Sequence, residues 1–484
     1  MGLRERLIAR LVEGRGSGSG LSKQDGFKRG EVLRTQVPIE LHAQWEPSLD
    51  RPDPVELLRS QGESRVQALL PLRYERMSAS AFTFYRGGAL VMASDLSETP
   101  TTGINVQACG DAHISNFGLF SSPERRTVFD INDFDETLPG PWEWDVKRLA
   151  ASVEICGRDN GFSKKERKAA VRACVSGYRN GMAGFAEMGH LDVWYAHLDV
   201  EALRAKVVTD LDAKTVKAAD KVLAKARGKN SARAMQKMTE VVDGQLRIVS
   251  TPPVIVPLRD IVAASKDPRT IDRLDEETVT RLIGRILADY RSTLPSDKAR
   301  LVNEYTAVDV AHKVVGVGSV GMRAWIVVMQ GADEGDPLVL QIKEAQASVL
   351  ERFVGKSKYR QHGHRVVAGQ RAMQTASDML LGWCSIPGEE GGKKDYYVRQ
   401  LWDGKGSIDL ALLNPKQLER LAEACGWTLA HAHARTGDRF AIAAYLGDTD
   451  EFDKAISKFA SAYADQNEAD YERFMEAYQA GELC

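Results

Sequence analysis

The chain has 484 residues, 43% hydrophobic and 27% charged, with a formal net charge of −2. That length can bury a large core divided over two or three units, while near-neutral charge gives no general pull toward nucleic acid or an anionic membrane, so a phosphate-handling site has to be local. Six scattered cysteines without a C-x-x-C pair provide neither a zinc knuckle nor a disulfide framework, and no apolar run is long enough to span a bilayer, so the expectation is a cytoplasmic enzyme.

Residues 1–34 read as a flexible leader. "MGLRERLIARLVEGRGSGSG" mixes Arg with Glu5 and Glu13, lacks the apolar stretch of a secretory signal, and ends in Gly/Ser linker material. "DPVELLRSQGESRVQALLPLRYERM" has apolar spacing that predicts a helix ending at Pro71. Arg86 in "FYRGG" is a candidate phosphate contact, although a turn explains its glycines equally well. "GINVQACGDAH" predicts a strand entering a loop, and "TVFDINDFDE" a second strand running into carboxylates. From 145 to about 300 the spacing is mostly helical. There the basic stretch holding Lys225, Arg227, Lys229, Arg233 and Lys237 lacks interleaved aromatics and predicts a solvated face, with no nucleic-acid partner.

Past 305 the pattern turns to strands. "AWIVVMQ", the turn "GADEGDP" and "LVLQIKEA" predict a hairpin. A helix over about 362–380, a strand "DYYVRQL" ending at "WDGKGS", and a long helix with Pro415 at an early position follow. The tail helix places Tyr463, Tyr471, Phe474 and Tyr478 on one side, a stripe that predicts core packing.

Three stretches carry chemistry. "VVGVGSVG" contains G-x-G-x-x-G, a weak signal alone, but the β-forming "MRAWIVVMQ" follows it where a dinucleotide-binding fold would have a helix. A strand–glycine turn–strand arrangement suits the nucleotide-covering loop of a kinase small lobe, with Gly316, Gly318, Ser319 and Gly321 approaching the phosphates of ATP. The next predicted strand delivers Lys343, whose alternatives are an anion-binding lysine or an edge-strand lysine reaching water. Upstream, Asp111 and Asn116 have the spacing of the kinase D-x-x-x-x-N pair, in which the Asp takes the acceptor proton and the Asn holds Mg2+.

"GDAHISN" resembles the "GDLHPGN" form of aminoglycoside- and choline-kinase-like enzymes, a pattern in which His113 would be structural. Asp133 follows Asn116 at the place of the magnesium-binding aspartate, with Asp135 as support and Asp130 as the less favoured alternative. Asp130, Asp133, Asp135 and Glu136 repel one another unless cations are present; the alternative is an acidic surface turn. "GPWEWDVKRLA" parallels a kinase-like helix start whose buried Asp, here Asp145, braces the catalytic loop.

As a whole the chain resembles the bacterial family of uncharacterised proteins called domain of unknown function 2252. "RYERMSASAFTFYRGGALVMASDL", "CGDAHISNFG", "NDFDET", "VVGVGSVG" and "CGWTLAHAHARTGD" carry the resemblance. More distantly it resembles kinase-like phosphotransferases with their segments re-ordered. Read from 305 to the end and then from 101, the parts fall in kinase order, which implies circular permutation with the break between the 415–434 helix and the catalytic loop.

The expected fold is α+β and two-lobed. A large-lobe part over 35–304 holds the catalytic loop (109–118), the metal loop (129–137) and a helical insertion. A β-rich small lobe follows over about 305–408, and helices over 409–484 complete the large lobe. The partner of Lys343 is left open between Glu351 and Gln370, and the absence of an "APE" segment argues against a typical protein kinase. The expected function is ATP- and Mg2+-dependent phosphoryl transfer to a hydroxyl on a small molecule or protein. The alternatives are a nucleotide-binding pseudoenzyme and a metal-dependent hydrolase built on Asp111, His113 and the acidic cluster.

Overall fold

The computed structural model describes residues 22–483 other than 202–220, 222, 243–244, 265–275, 315, 317, 319, 334, 388–391 and 403. Ser22 and Asp25 close a reciprocal capping box on helix α1 (Lys23–Gln36), and Gly30 lets this helix approach the backbone of Ala441 and Tyr445. Residues 23–34 of the expected leader are therefore helix, docked by a residue with no side chain in the way. Two helices, α2 (Pro54–Gly62) and α3 (Leu70–Met77), occupy the stretch where one ending at Pro71 was expected. Pro71 instead sits in the first turn of α3, where a missing N–H leaves no hydrogen bond unmade. The short α4 (Ala81–Gly87) and α5 (Ala89–Ser97) follow.

Strand β1 (Asn105–Ala108) pairs antiparallel with β4 (Leu138–Pro141), and between them β2 (Phe117–Ser121) and β3 (Thr127–Ile131) form a hairpin joined by β5 (Leu198–Asp199). Behind these strands, α6 (Trp142–Asp159) and α7 (Lys164–Glu187) bury their apolar faces in the main core. A two-stranded ribbon of β6 (Thr239–Val242) and β7 (Gln245–Ile248) precedes the strands of a six-stranded sheet that is antiparallel throughout. Its strands are β8 (Ile255–Pro257), β9 (Thr306–Lys313), β10 (Ala324–Gln330), β11 (Pro337–Ala345), β12 (Gly382–Pro387) and β13 (Lys393–Gln400), in the order β12-β13-β11-β10-β9-β8.

Described residues within 231–303 pack on both faces of this sheet, across the expected boundary near 305. Leu287, Tyr290, Leu294 and Val302 cover one face, and Ala234, Met235 and Met238 cover the other. Amphipathic helices announce that they need an apolar partner, but the partner's identity is not written in their own periodicity. Between β11 and β12 lies α8 (His362–Met373), which stops short of 380 because Gln374 turns to extended backbone.

The C-terminal helices α9 (Pro415–Thr436), α10 (Arg439–Leu446) and α11 (Glu451–Gln479) return to the main core, where Tyr463 is buried, while Phe474 is buried in a separate cluster with Tyr74 and Phe84, as the stripe predicts. The end of α9 meets the start of β1: Gln107 N–H donates to Thr436 Oγ1 at 3.2 Å, and Gly437 packs on Val106. After β13 the chain zips onto β2 through the reciprocal Leu119–Gly406 backbone pair, at 2.9 Å in both directions.

Helices α7 and α9 touch through glycine. A Cβ on Gly426 would stand 1.9 Å from the Cys174 carbonyl oxygen, and one on Gly177 would stand 2.4 Å from that of Glu423. Gly426→Ala is therefore expected to destabilise the protein by at least about 2 kcal/mol through overpacking. Gly184→Ala, whose methyl meets nothing within 4 Å, is expected to be neutral or to stabilise by up to about 1 kcal/mol. Urea denaturation of the two variants checks this; equal midpoints would refute the close approach.

Candidate active site

Strand β11 is internal to its sheet, and Lys343 on it stands opposite Ala324 of β10 and Tyr397 of β13. Its ammonium is 3% exposed, which removes the edge-strand reading. A buried ammonium needs anions. Lys343 finds them in an ion pair with Asp135 and in Asp133, 3.8 Å away. Tyr397 O–H donates to the other Asp135 oxygen at 2.9 Å. Burial pushes the Asp135 carboxyl up, but Lys343 and Tyr397 outweigh it and hold the group below the ordinary carboxylate range. Neither Glu351 nor Gln370 partners Lys343; Gln370 donates to Gln374 at 2.9 Å.

The loop after β1 is pinned from below by Asp145, in the first turn of α6. Its buried carboxylate accepts from Cys109 N–H at 2.6 Å and Gly110 N–H at 2.9 Å, and His433 Nε2 lies 3.2 Å from it. Gly110 has φ +78°, and a Cβ there would meet the Glu136 carbonyl oxygen at 2.4 Å, so only glycine lets the two loops lie together.

Asp111 comes next. Arg148, one turn beyond Asp145 on α6, holds its Oδ1 through Nε at 2.7 Å and a terminal nitrogen at 2.6 Å, leaving Oδ2 with His113 Nε2 at 3.7 Å. Burial, with a contribution from Asp133, raises the Asp111 pKa to about 6 against the opposing pull of Arg148. Burial and the nearby Arg148 and Arg86 push His113 well below its ordinary value, so its ring is neutral. Asn116 donates Nδ2–H to the Asp111 carbonyl at 2.8 Å, which leaves its amide oxygen as a donor atom for a cation.

The acid loop is tied to both sides. Asn132 N–H donates to the Asn116 carbonyl at 2.7 Å. Buried Arg365 of α8 donates to the carbonyls of Asp135, Thr137 and Gln346 at 2.7–2.8 Å. Val349 N–H donates to the Glu136 carboxyl at 2.7 Å, and burial pushes that carboxyl up to about 7. Asp133 is the loop's most open carboxylate, its side chain 34% exposed.

Asp111, Asn116, Asp133, Asp135, Gly316, Gly318 and Lys343 thus line one cleft. Ser319 lies outside the described residues. Gly321 does not line the cleft: at φ +89° it packs on Arg65, and its carbonyl accepts from Val66 N–H. Asp130 stays on β3, 2% exposed, with Thr375 N–H donating to it at 3.0 Å, so it is no candidate metal ligand.

Arg148, Tyr397 and Arg365 were not read from the sequence. Arg148 shares a helix face with Asp145 at i, i+3, and Tyr397 shares a strand face with Arg399 at i, i+2. Those spacings mark which residues share a face but not what that face meets.

Burial raises Asp130 to about 6, with the Thr375 and Ile131 N–H groups opposing it. A raised carboxyl contributes stability that is present at low pH and lost as pH climbs through the folded value. Between pH 7 and pH 4.5 the wild type is expected to gain on Asp130→Asn by about 2 kcal/mol. Urea titrations at both pH values check the sign, and a gap that stays constant or moves the other way contradicts it.

The family model that matches the chain, over residues 65–477, is described as an uncharacterized protein conserved in bacteria (DUF2252). No curated protein and no solved structure matches. The matched span takes in the 109–118 loop, the acid loop, the glycine turn and Lys343, and the chain belongs to the DUF2252 family.

Proposed function

We propose that this protein is an ATP- and Mg2+-dependent phosphotransferase with a circularly permuted, two-lobed kinase-like fold, acting on a hydroxyl acceptor. The observation that carries the reading is the meeting of Lys343 with the Asp133–Asp135 loop in one cleft, although Lys343 and Asp135 stand 208 residues apart in the chain. The order of parts supports it. Strand β9, the glycine turn, β10, a lysine on β11, helix α8, β12, β13 and then helix α9 is the succession of a kinase small lobe and the start of its large lobe. The end of α9 lies against β1, the strand that enters the catalytic loop. Such proximity of the joined points is what a permuted chain requires.

Gly316 and Gly318 leave backbone open to the phosphates, and Lys343 binds them by exchanging Asp135 for phosphate oxygen. Asn116, Asp133 and Asp135 supply oxygen donors for Mg2+, an ion that takes one or two carboxylates and shares the substrate phosphates. When bound, the ion neutralises charge on the transferring phosphoryl group. Asp111, held by Arg148, takes the acceptor proton as the acceptor oxygen bonds to the γ-phosphorus and the nucleoside diphosphate leaves.

Among the described residues no three His, Cys, Asp or Glu side chains converge as a ligand set, which favours a shared ion over a self-contained hydrolytic metal centre on Asp111 and His113. Nucleotide binding without transfer is the second reading. It is favoured by the absence of any Asp or Glu on α8 to pair with Lys343.

Mg-ATP is expected to raise the melting temperature, by an amount equivalent to about 2.7 kcal/mol at a hundredfold excess over Kd. No shift refutes nucleotide binding. Asp133→Asn is expected to cut turnover of γ-labelled ATP by at least about 100-fold with its own unliganded melting temperature nearly unchanged, because Asp133 is one-third exposed. Binding without any turnover in the wild type selects the second reading.

A further inference from the structure

Three arginines that the proposed reaction has not used stand on one side of the cleft: Arg86 lines it, and Arg65 and Arg73 lie behind. Arg65 donates to the Val320 carbonyl at 2.6 Å. Arg73 is fully buried and donates to the Gly87 carbonyl at 3.0 Å and to Gln61 at 2.7 Å, with its Nε and other terminal nitrogen unpartnered. Arg86 lines the cleft and finds no hydrogen-bond or ion-pair partner among the described residues; its Nε is buried. None of the three pairs with a described carboxylate. In a chain whose net charge is −2, three guanidiniums gathered without a direct carboxylate contact are a local exception. Holding an unpaired buried charge costs several kcal/mol, which an incoming anion recovers.

Two further observations fix where that anion goes. Helix α5 begins at Ala89, a cleft residue, without any side-chain cap, so its first-turn N–H groups and positive dipole end face the same region. Arg148, which holds Asp111, also donates to the carbonyl of Tyr85, the residue before Arg86, at 3.1 Å. Arg86 therefore lies on the Asp111 side of the cleft, with its backbone carbonyl near Gly318, whereas Lys343 lies with Asp133 and Asp135. Asp111 cannot serve as its contact partner, since Arg148 already occupies Oδ1.

Resting on the phosphotransferase reading, we infer that Arg86, backed by Arg73 and the start of α5, forms an oxyanion subsite beside Asp111, and that the acceptor is itself anionic: a hydroxyl compound bearing a phosphate or carboxylate close to the hydroxyl that Asp111 orients. Arg86 is then a specificity-determining residue, and acceptors lacking the anionic group are poor substrates.

The test is isothermal titration of the full-length protein with inorganic phosphate, with and without saturating Mg2+ and β,γ-imido-ATP, in wild type, Arg86→Gln and Arg86→Lys. Phosphate is expected to bind the wild type under both conditions with affinities within threefold. Arg86→Gln is expected to weaken phosphate at least tenfold and to leave imido-ATP affinity within threefold, with Arg86→Lys intermediate. The unliganded Arg86→Gln protein is expected to melt no lower than the wild type, because it loses an uncompensated charge.

Displacement of phosphate by the nucleotide analogue would assign the anion to the γ-phosphate position and overturn the inference. So would absent phosphate binding, unchanged affinity in Arg86→Gln, or a sharply lower melting temperature that marks Arg86 as structural. Should imido-ATP fail to bind while Arg86-dependent phosphate binding persists, the nucleotide reading falls and the anion subsite stands.

Discussion

A lysine ammonium on an internal strand cannot be left without a counter-charge. Lys343 is such a lysine, and the carboxylates of Asp135 and Asp133 answer it from a loop on the other side of the cleft. This pairing fixes how the six-stranded sheet sits over the β3–β4 loop. It also divides labour among the acids: Asp135 is engaged with Lys343 and Tyr397, while Asp133 keeps an open face toward the cleft. On the proposed function that division serves a site accepting both a cation and a phosphate chain, with phosphate oxygen replacing Asp135 at the lysine.

The rest of the site is held by buried charged groups that point away from the chemistry. Asp145 fixes the backbone of Cys109 and Gly110, Arg148 fixes the Asp111 carboxylate, and Arg365 fixes the carbonyls of the acid loop. Each is carried by a helix, so loop residues that would otherwise move inherit the rigidity of α6 and α8. The close packing of α7 on α9 extends this bracing, since α9 carries His433 to Asp145.

Much of this arrangement was legible in the sequence wherever chemistry fixes spacing. Asp111 with Asn116, the carboxylates after β3, and a lysine one strand beyond a glycine turn are combinations with recognisable intervals, and all of them line the cleft. What stayed hidden depends on which surfaces meet. The sequence ranks Asp133 above Asp130; Asp133 faces the cleft and Asp130 is buried on β3, yet it is Asp135 that closes on the lysine. The stretch from 145 to about 300 reads as mostly helical without revealing that Met235, Met238, Leu287 and Tyr290 clothe the sheet. Gly321 belongs to the motif by spacing, but its left-handed backbone serves packing on Arg65. Pro71 marks a helix boundary from sequence, and only the neighbouring geometry shows that it opens a helix.

The central claim is that nucleotide phosphate takes the place of Asp135 at Lys343, in a cleft assembled from distant stretches of chain. A crystal structure of the full-length protein with Mg2+ and β,γ-imido-ATP tests it most directly. The account predicts phosphate oxygens within hydrogen-bond reach of Lys343 Nζ beneath Gly316 and Gly318, and the ion on Asn116 and Asp133. A nucleotide bound elsewhere, or saturation of the protein with the Lys343–Asp135 pair still closed, would contradict it.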